Sequence, residues 1–269
     1  MNNPPHVAPR DTVSAAIQAA VRQGRPALVG FLTAGFPSRL GFKDNLAAVA
    51  SVCDVVEIGV PFSDPMADGT TIQRASFAAL AGGVTLQWIL EELGSLKERH
   101  PAPILLMSYL NPLLSIGLEA LPRAAAAAGV AGFIVPDLPF EESADLKRAL
   151  ELEGLALVQM VTPVTPPERL AMLCREARGF VYAVTMTGTT GATSKGSSAD
   201  VPLDVLEYMD RVRRCSTVPV CAGFGIRSRE QVVRFAGHVD GVVVGSALVE
   251  ALERGEDVRA FLRSLRETP

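Results

Sequence analysis

The chain has 269 residues, a net charge of −4 and 48% hydrophobic residues, enough apolar side chain for a large core. The acidic balance and the absence of a basic cluster argue against a nucleic-acid partner. No apolar run approaches the roughly 20 residues that span a bilayer, and the polar, Pro-rich start from Met1 to Asp11 lacks the pattern of a secretory signal.

Residues 1–11 read as a flexible N-terminus, followed by a helix from Thr12 to Gln23. Short, uniformly apolar runs then recur at Ala27–Thr33, Asp54–Ile58, Ile104–Met107, Gly132–Val135, Leu155–Val161, Phe180–Thr185, Val218–Ala222 and Gly241–Val244. Such runs predict strands covered on both faces. Amphipathic stretches at helical spacing separate them: Leu40–Val52, Thr85–His100, Leu118–Ala127, Glu141–Glu153, Pro166–Arg178, Pro202–Arg214 and Arg229–Phe235. Thr85, Pro167 and Ser228 sit where helix starts are expected. An extra helix is predicted over Asp68–Leu80, after the second strand.

Eight strands alternating with helices predict parallel βαβ units, and eight is the closure number of the (β/α)8 TIM barrel. An open doubly wound sheet shows the same alternation. Without an interrupting linker, residues 12–269 read as one α/β barrel domain with the N-terminal helix over its floor. Cys53, Cys174, Cys215 and Cys221 form no CxxC pair and read as reduced, packed thiols of a cytoplasmic protein. His6, His100 and His238 have no second ligand at helical spacing, so no metal is expected.

The most informative stretch runs from Val56 to Gly69. An apolar strand ends in Glu57, and the turn-rich loop after it carries Asp64 and Asp68. An unpaired buried charge is costly, so an acid at a strand end is either paired or working. Active sites of such barrels lie at the carboxyl ends of the strands. Those ends here hold Thr33, Glu57, Asp64, Asp68, Tyr109, Asn111, Asp137, Thr162, the Met186–Ala199 loop, Gly223, Gly225, Gly245 and Ser246. Ordinary turn chemistry explains the glycines but not the acids. The glycines after the seventh strand, and Gly245-Ser246 where a short helix begins, also suit a phosphate. The long Gly/Thr/Ser loop reads as a mobile lid.

These segments resemble the tryptophan synthase alpha subunit family. The stretch EIGVPFSDPMADGTTIQ at Glu57–Gln73 is close to that family's signature. FLTAGFP (Phe31–Pro37), SYLNP (Ser108–Pro112), VPDLPFEES (Val135–Ser143), Thr189–Ala192, GFGI (Gly223–Ile226) and VGSALV (Val244–Val249) match in the same order. The resemblance implies a lyase that cleaves indole-3-glycerol phosphate to indole and glyceraldehyde 3-phosphate, with no metal or organic cofactor. It implies Glu57 as general acid/base and Asp68 as the anion that steadies the indole nitrogen. Phe31, Tyr109 and Tyr182 would wall the substrate, Thr190 would bond the second acid on lid closure, and Gly191, Gly223, Gly225, Gly245 and Ser246 would hold the phosphate. It also implies a beta-subunit partner, facing the Ser63–Gly69 loop, in an alpha2beta2-type complex. A stand-alone lyase that releases free indole and a non-catalytic phosphosugar-binding relative are the alternatives. Thr70, Phe36 and Met186 depart from the commoner family pattern and bear on lid closure and partner contact.

Overall fold

A computed structural model describes residues 8–98, 100–185, 201–223 and 225–266. Eight parallel strands close into a barrel in chain order: β1 (Ala27–Thr33), β2 (Val55–Gly59), β3 (Ile104–Met107), β4 (Val130–Ile134), β5 (Ala156–Val161), β6 (Val181–Val184), β7 (Val220–Gly223) and β8 (Gly241–Val244). Closure is made by β8 pairing with β1, Ala27 beside Gly241 and Gly30 beside Val244. This decides for the barrel over the open sheet.

The helices among the described residues are α1 (Pro9–Arg22), α2 (Phe42–Ala50), α3 (Thr70–Ala81), α4 (Leu86–Gly94), α5 (Leu110–Ile116), α6 (Leu121–Ala128), α7 (Ala144–Leu152), α8 (Pro167–Glu176), α9 (Leu203–Cys215), α10 (Arg229–Phe235), α11 (Ser246–Glu253) and α12 (Val258–Arg266). None is long and apolar enough to cross a membrane.

Side chains alternate across the barrel wall as the period of a strand requires. Val29, Val55, Leu105, Val158, Tyr182 and Val243 point inward as one cluster, and Val13 and Ile17 of α1 join it from below. The leading helix therefore plugs the floor, as expected. It begins at Pro9 rather than Thr12, because proline suits a first helical turn, so residues 9–11 belong to it and not to the N-terminal tail.

At the same end, Asp54 gathers a tight anion site. Arg25 donates to both its oxygens at 2.8 and 2.9 Å, the Leu28 N–H at 2.8 Å and Arg266 of α12 at 2.6 Å. Burial raises the carboxyl's proton affinity, but these donors outweigh it and hold Asp54 below the usual carboxylate range.

Several predicted helices are trimmed or divided. Thr85 caps α4, accepting from the Trp88 N–H at 3.1 Å, but the helix stops at Gly94 rather than running to His100. The stretch read as Glu141–Glu153 is a short 3-10 turn at Phe140–Glu142 followed by α7, divided at Ser143, whose hydroxyl donates to the Phe140 carbonyl at 2.7 Å. Ser228 opens α10 with a capping box completed by Gln231. The extra helix after β2 is present as α3, entered from Gly69 rather than Asp68.

Candidate active site

Glu57 occupies the third position of β2, between Phe31 of β1 and Leu105 of β3 in the register. It is fully buried, and neither carboxyl oxygen has a hydrogen-bond partner among the described residues. Burial alone pushes its proton affinity up to about 8. This is not the paired structural acid of the plainer reading. At neutral pH the group is mostly a neutral acid held in a dry place, one small step from ionisation.

Asp68 lies in the loop between β2 and α3 and is half-buried. Burial raises it to about 6, partly offset by the hydroxyl of Tyr109, which donates to its Oδ2 at 3.2 Å. Tyr109 in turn accepts from the Ala67 N–H at 2.8 Å, and its ring stacks on Phe62 with centroids 5.0 Å apart. Asp68 is therefore mostly ionised at neutral pH, while Glu57 mostly keeps its proton. Two carboxyls whose environments drive them to opposite states have the signature of divided acid and electrostatic roles.

Of the two acids, Asp68 lines a hollow at the mouth of the barrel, whereas Glu57 lies fully buried in β2 and is not part of that lining. Tyr182, buried on β6, has its hydroxyl held well above the ordinary phenol value, first by burial and then by the charges of Glu57, Cys221 and Asp68. Phe31, Tyr109 and Asp68 line a hollow with Gly59, Met107 and Ser108. Its free space is only about 10 Å³, room for a water and not for a bicyclic ring. Phe31 fills part of it: the ring lies against Gly59, where an added Cβ would come within 2.5 Å of it. Substrate entry requires the aromatic walls to move.

The glycines divide by purpose. Gly223 is buried beneath Tyr182, whose ring would meet an added Cβ at 2.2 Å, so the missing side chain here makes room for an aromatic ring. Gly225 is exposed with φ +87°, a backbone that side chains resist. Gly245 and Ser246 are half-buried at the start of α11, where no side chain caps the helix. Thr190 and Gly191, and the Met186–Ala199 loop that contains them, lie outside the described residues.

Sequence reasoning named Tyr109 as a wall but missed its bond to Asp68, because the two are 41 residues apart. It also missed Met107 and Ser76 as lining residues. Asp137, noted only as a rim residue, accepts from the Leu110 N–H at 2.9 Å and so fixes the start of α5 directly after Tyr109. Among the described residues no cluster of three or more His, Cys, Asp or Glu could hold a metal ion.

A closed parallel barrel with a buried acid inside its second strand and an ionised acid in the loop after it belongs to the class of (β/α)8 enzymes that work by acid–base chemistry. Comparison with known proteins narrows this. The family model of the tryptophan synthase alpha chain matches residues 17–268. The tryptophan synthase alpha chain of Solidesulfovibrio magneticus is 47% identical over 93% of this chain and 96% of its own length. That of Geobacter sulfurreducens is 45% identical over 90% and 93%. Among solved structures, a Mycobacterium tuberculosis tryptophan synthase matches with TM-score 0.85 and 38% identity, covering 94% of this chain and 96% of that one. The Legionella pneumophila alpha subunit matches with TM-score 0.82 and 30% identity over 95% and 97%. The chain belongs to the tryptophan synthase alpha chain family.

Proposed function

We propose that this chain cleaves indole-3-glycerol phosphate to indole and glyceraldehyde 3-phosphate, as the alpha subunit of tryptophan synthase. The observation that carries this reading is Glu57: a fully buried carboxyl with both oxygens unbonded among the described residues and its proton held to about 8. Retro-aldol cleavage asks one group to give a proton to indole C3 and to take one from the glycerol hydroxyl. Protonation of C3 places positive charge on the ring nitrogen. The C–C bond then breaks, its electrons neutralise that nitrogen, and the hydroxyl carbon leaves as an aldehyde. The proton given by Glu57 is restored by the proton it removes, so a single carboxyl poised near neutral pH closes the cycle.

Asp68 suits the second role. Ionised and steered by Tyr109, it offers a fixed negative charge to the nitrogen as that atom becomes cationic. Phe31, Tyr109 and Tyr182 supply flat walls for the ring. The open backbone at Gly225 and the uncapped N–H groups at Gly245 and Ser246 suit the phosphate, while Gly223 lies close beneath Tyr182.

The partner in this reading is a beta subunit that consumes the indole, docked on the Ser63–Gly69 loop, where Met66 is 74% exposed. Cys53, Cys174 and Cys221, all buried and outside any disulfide, suit a reducing cytoplasm.

An indole-release assay on indole-3-glycerol phosphate, with and without a beta subunit, tests the reading. Turnover that the beta subunit accelerates supports it. Fast turnover alone with no response to the beta subunit would favour a stand-alone lyase. Wild-type-like release by Glu57→Gln would remove the acid–base assignment.

A further inference from the structure

Glu250 lies four residues after Ser246 on α11, hence on the same face and one turn behind the uncapped N–H groups of that helix. A bare carboxylate there would repel a phosphate seated on them. Glu250 is not bare. Arg227, two residues after Gly225, grips both its oxygens: Nη1 donates to Oε1 at 3.3 Å and Nη2 donates to Oε2. That grip, against the opposing effect of burial, holds Glu250 below the usual carboxylate range. Arg254 lies 3.8 Å away but donates to Glu256 at 2.6 Å.

The same carboxylate has a further partner on another element. The Thr71 hydroxyl donates to its Oε1 at 3.2 Å. Thr71 is the second residue of α3 and stands three residues after Asp68. Two residues further on, Gln73 Nε2 donates to the Asp68 carbonyl at 2.9 Å, so the start of α3 fixes the backbone of that acid. On the other side, the Arg227 N–H donates to Gln231 Oε1 at 2.7 Å, which ties Arg227 to the first turn of α10. One carboxylate thus joins the loop after β7, the helix after β8 and the acid-bearing segment after β2. Glu253, one turn further along α11, also reaches α3, accepting from Arg74 Nε at 3.1 Å, but among the described residues it makes no bond to the β7 loop.

On the reading that Gly225, Gly245 and Ser246 hold the phosphate, we propose that Glu250 is a positioning residue that links the phosphate loops to Thr71 and keeps Asp68 aligned with the seated substrate. Exposed ion pairs add little to stability, so the junction matters for what it connects and not for its strength. A phosphate held by the Gly225 and Ser246 N–H groups fixes the β7 loop and the start of α11 against each other. Glu250, bonded to Arg227 and Thr71 together, passes that constraint to the start of α3.

Amide NMR of the full chain, titrated with inorganic phosphate, reads the link without any reaction. Phosphate should shift the Gly225 and Ser246 amides and, with the same midpoint, those of Asp68 and Thr71. Glu250→Ala should keep the first pair of shifts and lose the second, whereas Glu253→Ala should keep both. Shifts at Asp68 and Thr71 that survive Glu250→Ala, or that Glu253→Ala removes equally, overturn the proposal. So does a wild-type response confined to Gly225 and Ser246. No shift at Gly225 or Ser246 would remove the phosphate reading itself, and the proposal with it. Indole release gives a second readout. Glu250→Ala should lower kcat about tenfold in an otherwise wild-type chain but less than about twofold in one carrying Asp68→Asn, since an effect routed through Asp68 vanishes with its charge. Equal losses in both backgrounds would make Glu250 a support of the fold alone and overturn its positioning role.

Discussion

Removing the proton site of Glu57 should change how the stability of the barrel depends on pH. In the unfolded chain the carboxyl titrates near 4.5, and in the fold near 8. Between those values the unfolded state gives up the proton and the folded state keeps it. Stability therefore falls as pH rises, by about 1.4 kcal/mol per pH unit, and levels off above the folded value. Glu57→Gln has no such proton. Its two amide atoms face the same dry surroundings, which adds an offset that pH does not change. From about pH 5.5 to pH 7.5 the variant should gain about 2.5 kcal/mol relative to wild type. Urea unfolding of both proteins at several pH values reads this directly, since every other titrating group is shared and cancels. Parallel stability curves across that range would mean that Glu57 is hydrated or paired in solution. The dry-acid argument would then be lost, whatever the variant does to catalysis.

Asp68→Asn should slow indole release by about 10²- to 10³-fold, the usual effect of removing one charge-stabilising contact, and an unchanged kcat would refute its electrostatic role. Tyr109→Phe removes the donor that holds Asp68 down to about 6, so the acid limb of the kcat/KM profile should move to higher pH; a limb that stays in place would separate Tyr109 from Asp68. Gly225→Val forces a branched side chain to φ +87°, costing about 1–3 kcal/mol, and should weaken glyceraldehyde 3-phosphate far more than indole in equilibrium titrations; equal losses would count against a phosphate role. Asp54→Asn weakens the links to Arg25 and Arg266 and should lower unfolding free energy by about 2–3 kcal/mol with little effect on turnover, measured by denaturant melts and the same release assay.

The barrel was legible in the sequence because each strand is covered on both faces and reads as an uninterrupted apolar run. The limits of β1, β3 and β8 coincide with the runs themselves. Glu57 stood out for the same reason, as a carboxylate inside such a run. What escaped notice depends on contacts distant in the chain. α5 contains Pro112 and begins where Asp137, 27 residues away, accepts its first N–H, so no local signal announces it. α12 is a different case. Val258, Leu262 and Leu265 form a buried stripe, and Asp257 accepts from the Ala260 N–H at 3.1 Å, so the signal was present and went unread. The roles of the glycines were only half legible. Sequence marks where a side chain is missing, but it does not say whether a phosphate or the ring of Tyr182 takes the space, and at Gly223 it is the ring.

The closure of the cylinder bears on how this molecule is made. β8 completes the ring between β7 and β1, and Arg266 reaches back to the carboxylate that Arg25 already holds. A nascent chain arrested before residue 241 leaves the flanks of β1 and β7 as open edges, each able to zip onto a neighbour on the same polysome. Synthesis from the N-terminus therefore leaves one edge of the first strand without its final neighbour until the last strand is made, while the second strand covers the other edge.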